Sequence, residues 1–350
     1  MTTVTSAARR FRISRLRGSN NEGVLVVAIA VLAIVVGLFS PSFWSVATLL
    51  NVGTNSLENV VFAMAVLIVI ISGGIDVSFM AIGIFAGYSV IVLGNSTGIA
   101  ADSAWLGFVI AIAIGLALGL LNAFAIAGLR LPTLIATLGT QGIIRGVMLA
   151  FIGRKVLPTY PPGLESLSTT YLFTDHAAID TRLNVMIIPS IMICVAVSLM
   201  LRYTLVGRGI FAIGGDAEST RRAGFPVTGL RVLIYLMAGA LAAVAGLMHV
   251  TQVRLANPYE LVGGELDVIA AVVLGGASIF GGKGSVSGTV LGVVLIALIK
   301  NSLILLGVPG AWQRAAVGAL LLIGVSAQAI SAVGRRRRGT IVQEEEEAAA

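Results

Sequence analysis

The sequence predicts an all-α polytopic membrane protein of about ten transmembrane segments with both termini cytoplasmic. Three observations carry that expectation: the composition, the spacing of the apolar runs, and the distribution of Lys and Arg. Hydrophobic residues make up 57% of the 350 and charged residues 11%, against about 45–50% and 25% in soluble domains. Mean hydropathy is +1.00. A soluble globule has no interior large enough for so much apolar surface. At about 20 apolar residues per crossing, the chain has room for roughly eight to ten spans and no large soluble domain.

The apolar runs fall at Val24–Phe39, Leu57–Ile71, Phe79–Leu93, Trp105–Ala127, Pro132–Ile152, Leu183–Leu201, Val232–Val250, Leu266–Phe280, Val286–Leu306 and Ala311–Ile330, ten in all. The first follows an Arg-rich start, and Ser40-Pro41-Ser42 weakly resembles a processing site. The basic region Arg9–Arg17 is long for a leader and further spans follow, so Val24–Phe39 is expected to be an uncleaved helix. The expected organisation is a basic cytoplasmic tail over 1–23, a transmembrane domain over 24–332, and a charged, disordered cytoplasmic tail over 333–350 that ends in a Glu run and three Ala.

With the amino terminus inside, sixteen Lys and Arg fall on the cytoplasmic side, among them Arg9–Arg17, Arg130, Arg202–Arg231, Lys283 and Arg335–Arg338. Four fall outside (Arg154, Lys155, Arg182, Arg254), and Arg145, Lys300 and Arg314 lie in or at the ends of apolar runs. The positive-inside bias supports ten crossings. The net charge of +7 is therefore topological, and no nucleic-acid partner is expected. Cys194, the single cysteine, can form neither an intrachain disulfide nor a metal cluster and is expected in the core or facing lipid.

Three runs are short or broken by glycine. Leu57–Ile71 and Phe79–Leu93 flank Ser72-Gly73-Gly74-Ile75-Asp76, and Leu266–Phe280 contains Gly275-Gly276 and ends on Gly281-Gly282. Backbone freed by glycine at membrane depth must be covered by protein or line a cavity, which makes such breaks pointers to a solute pathway. One break in each half of the chain also suggests an internal duplication.

The pathway candidates are Asn55, Glu58, Asn59, Asp76, Asn122 and Gln141. Each has a structural alternative: Asp76 as a helix N-cap after the glycine turn, the others as groups joining helix to helix. Arg145 is expected to pair structurally. Asp267, Glu265 and His249 would be the members of a proton relay if the chain were a single-component transporter or channel.

Two connections are long. The stretch 153–182, expected outside, carries Pro158, Pro161, Pro162, Tyr160 and Tyr171 with balanced charge, which suits docking of a soluble partner or a lid. The stretch 203–230, expected inside, contains Gly214-Gly215-Asp216-Ala217-Glu218-Ser219-Thr220-Arg221-Arg222-Ala223-Gly224. Asp216 reads as an N-cap and Gly224 as the stop of a helix of about two turns. So short a helix is not stable alone and needs a surface to dock on.

Around this loop the chain resembles the ribose-type permease family of ABC sugar importers, from about Asn51 to Ile330. Ser72-Gly73-Gly74-Ile75-Asp76-Val77-Ser78 resembles that family's Gly-Gly-Ile-Asp-Leu-Ser signature. Pro132–Thr140 with Arg145-Gly146, Gly275–Ser285, and Asn301–Gly307 resemble three further blocks in the family's order. The resemblance implies an inner-membrane permease paired with a second copy or a paralogue. ABC ATPase subunits would bind its cytoplasmic face, and a periplasmic or lipoprotein sugar-binding protein would deliver the solute. It implies no cofactor. Asp216, Ala217, Glu218, Ser219, Thr220, Arg221, Arg222 and Ala223 would form the coupling helix that docks on the ATPase. Family members often carry Asn at the position of Asp216 and a small residue at that of Glu218, so the two acids here are departures. The chain itself carries no phosphate-binding loop: in Gly281-Gly282-Lys283-Gly284-Ser285 a glycine follows the lysine and Ala277 stands where the first glycine is required.

Overall fold

A computed structural model describes residues 22–99, 102–175, 181–261, 263–322 and 326. The basic start, Asp180 and the carboxy-terminal tail lie outside the described residues. Helix α1 (Glu22–Phe39) is followed by a 3-10 turn (Pro41–Trp44), α2 (Val46–Ile71) and α3 (Phe79–Thr97). Helices α4 (Ala104–Ala123) and α5 (Thr133–Val147) each run on into a single π-turn, Phe124–Gly128 and Met148–Ile152. A short α6 (Pro162–Thr169) and an antiparallel hairpin, β1 (Tyr171–Asp175) with β2 (Thr181–Asn184), precede α7 (Ile187–Tyr203), α8 (Leu205–Gly215) and α9 (Ala217–Arg222). The remaining helices are α10 (Val227–Val253), α11 (Glu265–Leu274), α12 (Val286–Leu305) and α13 over residues 310–322.

Among the described residues seven helical stretches are long and apolar enough to cross a membrane, and an eighth if α7 and α8, bent by 73°, count as one. The eighth apolar run forms only the ten-residue α11, about 15 Å long, because Gly275-Gly276 ends it. The tenth is helical over 310–322, and its last residues lie outside the described part.

Helix α2 is longer than its apolar run. The sequence reading starts it at Leu57, whereas the helix starts at Val46 and continues for 26 residues, capped by Ser45, whose hydroxyl accepts from the Thr48 N–H. The apolar run stops short of Asn51, Thr54 and Asn55, but none of these residues breaks a helix. Only at Ser72-Gly73-Gly74 does helix give way to extended chain, as expected. The two breaks differ in setting: 26 helical residues precede the first and ten the second.

From Val60 to Ile71 every residue of α2 is buried, the mark of a central helix enclosed on all sides. Helices α10, α12, α7 and α11 surround it. Helix α10 also crosses α3 and α4 closely; a Cβ on Gly246 would overlap the backbone of Gly83 on α3. Since lipid is as apolar as Leu, such close approach and its dispersion contacts hold the bundle. Large side chains on the outer faces, including Phe39, Trp105 and Phe151, are exposed and form the lipid-facing surface.

The bundle has two distinct ends. At one, Glu22 at the start of α1 accepts hydrogen bonds from Ser285 (2.9 Å) and Ser287 (2.5 Å) at the start of α12, and Gly282 donates to the Ile71 carbonyl at the end of α2. At the other, the 153–170 stretch caps α3 and α10. Tyr160 donates to the Val250 carbonyl, Tyr88 donates to the Lys155 carbonyl (2.8 Å), and Leu157 bridges to Ala256. Burial raises the Tyr160 phenol pKa far above its ordinary value, so it remains a donor at any ordinary pH.

Candidate functional site

Asn55, Glu58 and Asn59 sit at i, i+3 and i+4 on α2, so helical geometry places them on one face. They line a cavity of about 280 Å³, near the lower end of the roughly 300–1,000 Å³ of small-molecule pockets. The facing wall supplies Asp267 from α11, Lys300 and Asn301 from α12, and Gln313 from α13, with Val268, Ala271, Val293 and Ile296 between them. Lys300 pairs with Asp267, and the Glu58 carboxylate lies 2.9 Å from His249 Nδ1. The cavity therefore offers amides and paired carboxylates to a solute.

Sequence reading missed Lys300, Asn301 and Gln313 as cavity residues and assigned Asp267 a different role. The signal was present: an ionisable residue inside an apolar run is costly unless it faces a polar space, and Lys300-Asn301 interrupts the run Val286–Leu306.

The other three pathway candidates lie elsewhere. Asp76, 2% exposed, is outside the cavity and does not cap α3; the cap position is Ser78, whose side chain makes no capping bond. Asp76 instead accepts from the Ser78 N–H and hydroxyl, both at 2.7 Å. It ends a directed chain in which Thr140 donates to Asn122 (2.5 Å), Asn122 to Ser78 (2.7 Å), and Ser78 to Asp76. Thr133 and Thr137 of α5 accept from the N–H groups of Ile75 and Val77. The extended backbone left by the first glycine break is thus satisfied by Asp76 and by side chains of α5, while Asn122 of α4 holds the Ser78 hydroxyl. Asn122→Ala leaves the Thr140 hydroxyl only its longer bond to the Thr137 carbonyl (3.2 Å) and removes the donor to Ser78. We expect a loss of about 1–3 kcal/mol, measured as a lower melting temperature of the purified protein in detergent.

Gln141 joins Arg145 on the first residue of α11. Its side-chain N–H donates to Glu265 at 2.7 Å, and Arg145 reaches the same oxygen at 2.6 Å. The pairing of Arg145 is structural, tying α5 to α11. Glu265, Asp267 and His249, the residues of the relay alternative, have separate partners: Arg145, Lys300, and the pair Glu58 and Glu260.

The 203–230 loop folds as two helices. Thr204 caps α8 by accepting from Gly207. Asp216 ends α8 and caps α9, its carboxylate accepting from the N–H groups of Glu218 and Ser219 and from the Ser219 hydroxyl (2.5 Å). Those hydrogen bonds, the Ser219 hydroxyl first, hold the Asp216 pKa below its ordinary value. The cap is therefore complete above the ordinary carboxylate range and is lost only as pH falls through the depressed value. Ala223 follows as C-cap and Gly224 turns the chain at φ +88°. Glu218, Ser219, Arg221 and Arg222 are exposed, while Thr220 is buried.

Residues 48–325 match the family described as branched-chain amino acid transport system / permease component. The chain is 31% identical over 307 residues to the autoinducer 2 import system permease protein LsrC of Yersinia enterocolitica, covering 88% of this chain and 82% of the relative. It is 31% identical over 325 residues to the ribose import permease protein RbsC of Escherichia coli K12, covering 93% and 98%. No solved structure matches the chain. These matches span both breaks, the cavity and the α8–α9 loop, and the chain belongs to the branched-chain amino acid transport system / permease component family, as an inner-membrane ABC importer permease of the ribose type.

Proposed function

We propose that the chain is the translocating subunit of an importer for a monosaccharide or a similarly small polar solute. In this reading it pairs with a second permease copy or a paralogue, ABC ATPase subunits power it from the cytoplasm, and a periplasmic or lipoprotein binding protein supplies the solute. The observation that supports it best is the polar cavity within the bundle, with Asn55, Glu58 and Asn59 facing Asp267, Lys300 and Asn301. Sugar hydroxyls donate and accept hydrogen bonds, and side-chain amides do both. Asp76, Asn122 and Gln141 then keep the walls in place without touching solute. The 153–182 connection is the periplasmic docking face, and α9 is the coupling helix.

Uptake of labelled ribose and a panel of other neutral sugars tests this in cells that express the chain with its ATPase and binding protein. Uptake should survive a protonophore and vanish when the ATPase's phosphate-binding lysine is substituted. Uptake without the ATPase, abolished by the protonophore, would instead establish a single-component transporter. The double variant Asn55→Ala with Asn59→Ala should raise KM for uptake about tenfold, in line with roughly 1.4 kcal/mol of lost contact, while leaving the amount of protein in the membrane unchanged.

A further inference from the structure

We propose that Gly214 is the joint through which movement of α9 reaches both walls of the polar cavity at once. The proposal rests on the importer reading above and goes beyond it by naming the contact that carries the motion. Helix α8 ends at Gly214-Gly215, immediately before Asp216 opens α9. Gly214 lies against two pieces of backbone: the carbonyl of Ile71, the last residue of α2, and the N–H of Gly282 in the loop between α11 and α12. A Cβ on Gly214 would overlap the Ile71 oxygen and stand 2.5 Å from the Gly282 nitrogen. Those two groups are also bonded to each other, Gly282 donating to Ile71 at 2.8 Å.

The fit around this point is made by glycine on every side. A Cβ on Gly281 would stand 2.5 Å from the Gly214 oxygen and 2.9 Å from the Gly73 Cα. Gly73, Gly281 and Gly282 have φ of +83°, +84° and +73°, a backbone that side chains disfavour. Three segments far apart in sequence therefore meet backbone to backbone, with no flexible side chain between them to absorb a displacement.

What stands on the joint gives it a role. From Ile71, Glu58 lies 13 residues back along α2; from Val286, Lys300 lies 14 residues along α12. At 1.5 Å per residue, both polar walls stand roughly 20 Å above the joint. A tilt of about 5° there displaces each by roughly 2 Å, enough to break or form a hydrogen bond. The other helix leaving α9, α10, lines no part of the cavity; it packs along α2 behind that wall, with His249 against Glu58. A coupling path requires an element whose two arrangements both sites bias; the junction of α8 with the two glycine breaks touches the base of both walls, and a second arrangement of it is what the measurements below read.

The test uses the complete transporter in proteoliposomes, with the chain, its ATPase and its binding protein, and reads solute transported per ATP hydrolysed. In Gly214→Ala we expect the ATPase to co-purify at the wild-type level and ATP hydrolysis to stay within about twofold, while transport per ATP falls at least tenfold. Gly215→Ala, whose Cβ meets nothing within 4 Å, should change neither. A wild-type ratio in Gly214→Ala overturns the proposal and leaves the importer reading standing. Absence of ATP-driven uptake by the wild-type chain overturns both.

Should Gly214→Ala fail to accumulate, a second measurement leaves the joint intact. In a Cys194→Ser background, spin labels on Gly215→Cys and either Asn55→Cys or Ile304→Cys report each wall's distance from the arm. Binding of nucleotide to the ATPase should shift both distances by 2 Å or more. A shift of one wall alone, or of neither, overturns the proposal.

Discussion

Arg221→Glu combined with Arg222→Glu will abolish recovery of the ATPase with this chain and lower uptake about 100-fold. Both arginines point outward from α9, 69% and 78% exposed, and among the described residues pair with Glu218 alone, at 2.5 and 3.4 Å. Exposed pairs of this kind contribute about 0–1 kcal/mol to folding, so the bundle should hold and the effect should fall on the partner. In the wild type two acids and two bases balance across Asp216–Ala223. The double reversal makes four carboxylates, places negative charge at a helix C-terminus, where it is disfavoured, and confronts any acidic groups the partner aims at this helix. Co-purification and uptake, with the melting temperature as control, check the result. Unchanged uptake would end the assignment of α9 to docking.

Lys300→Met acts on folding and transport together. It removes the ammonium and leaves the Asp267 carboxylate unpaired at the cavity wall. Breaking a fully buried pair costs about 3–5 kcal/mol. Here Lys300 is 38% and Asp267 21% exposed, so solvent screening lowers the expectation to about 1–3 kcal/mol. The melting temperature should fall in Lys300→Met and return in the double variant Lys300→Met with Asp267→Asn, whose wall is again neutral. Uptake should drop at least tenfold in both, because the double variant restores charge balance without restoring the ammonium. Equal melting temperatures in the wild type and the single variant would show that the pair does not hold the wall.

Local signals in the sequence were enough for the class of protein, the glycine breaks and the geometry of α9. Composition requires a membrane, two glycines at membrane depth require a break, and an aspartate followed by a breaker-free run and a glycine requires a short capped helix. Spatial relations were harder. Hydropathy placed the start of α2 eleven residues late, because a polar face on a helix looks like the end of a span. Asp76 resembled a cap or a pathway group, and only the approach of Asn122 on α4, 44 residues beyond Ser78, turns it into the end of a buried hydrogen-bond chain. The cavity draws on α2, α11, α12 and α13, so no window of sequence contains it. Lys300 was visible as an anomaly in an apolar run, but its partner Asp267 lies 33 residues earlier and becomes its neighbour only when α11 packs on α12.

The bond between Glu22 and the serines of α12 bears on how the chain is made. Helix α1 buries only Leu25 and Val36, and its one charged anchor closes on residues 263 and 265 positions later. At about 5–20 residues per second of synthesis, the helix waits roughly 10–50 s before Ser285 leaves the ribosome. During that interval its flank is exposed to lipid and to whatever else the membrane holds. Docking of α1 is therefore among the last events of biogenesis, and it closes the bundle only after both glycine breaks and the cavity wall of α12 have been synthesised.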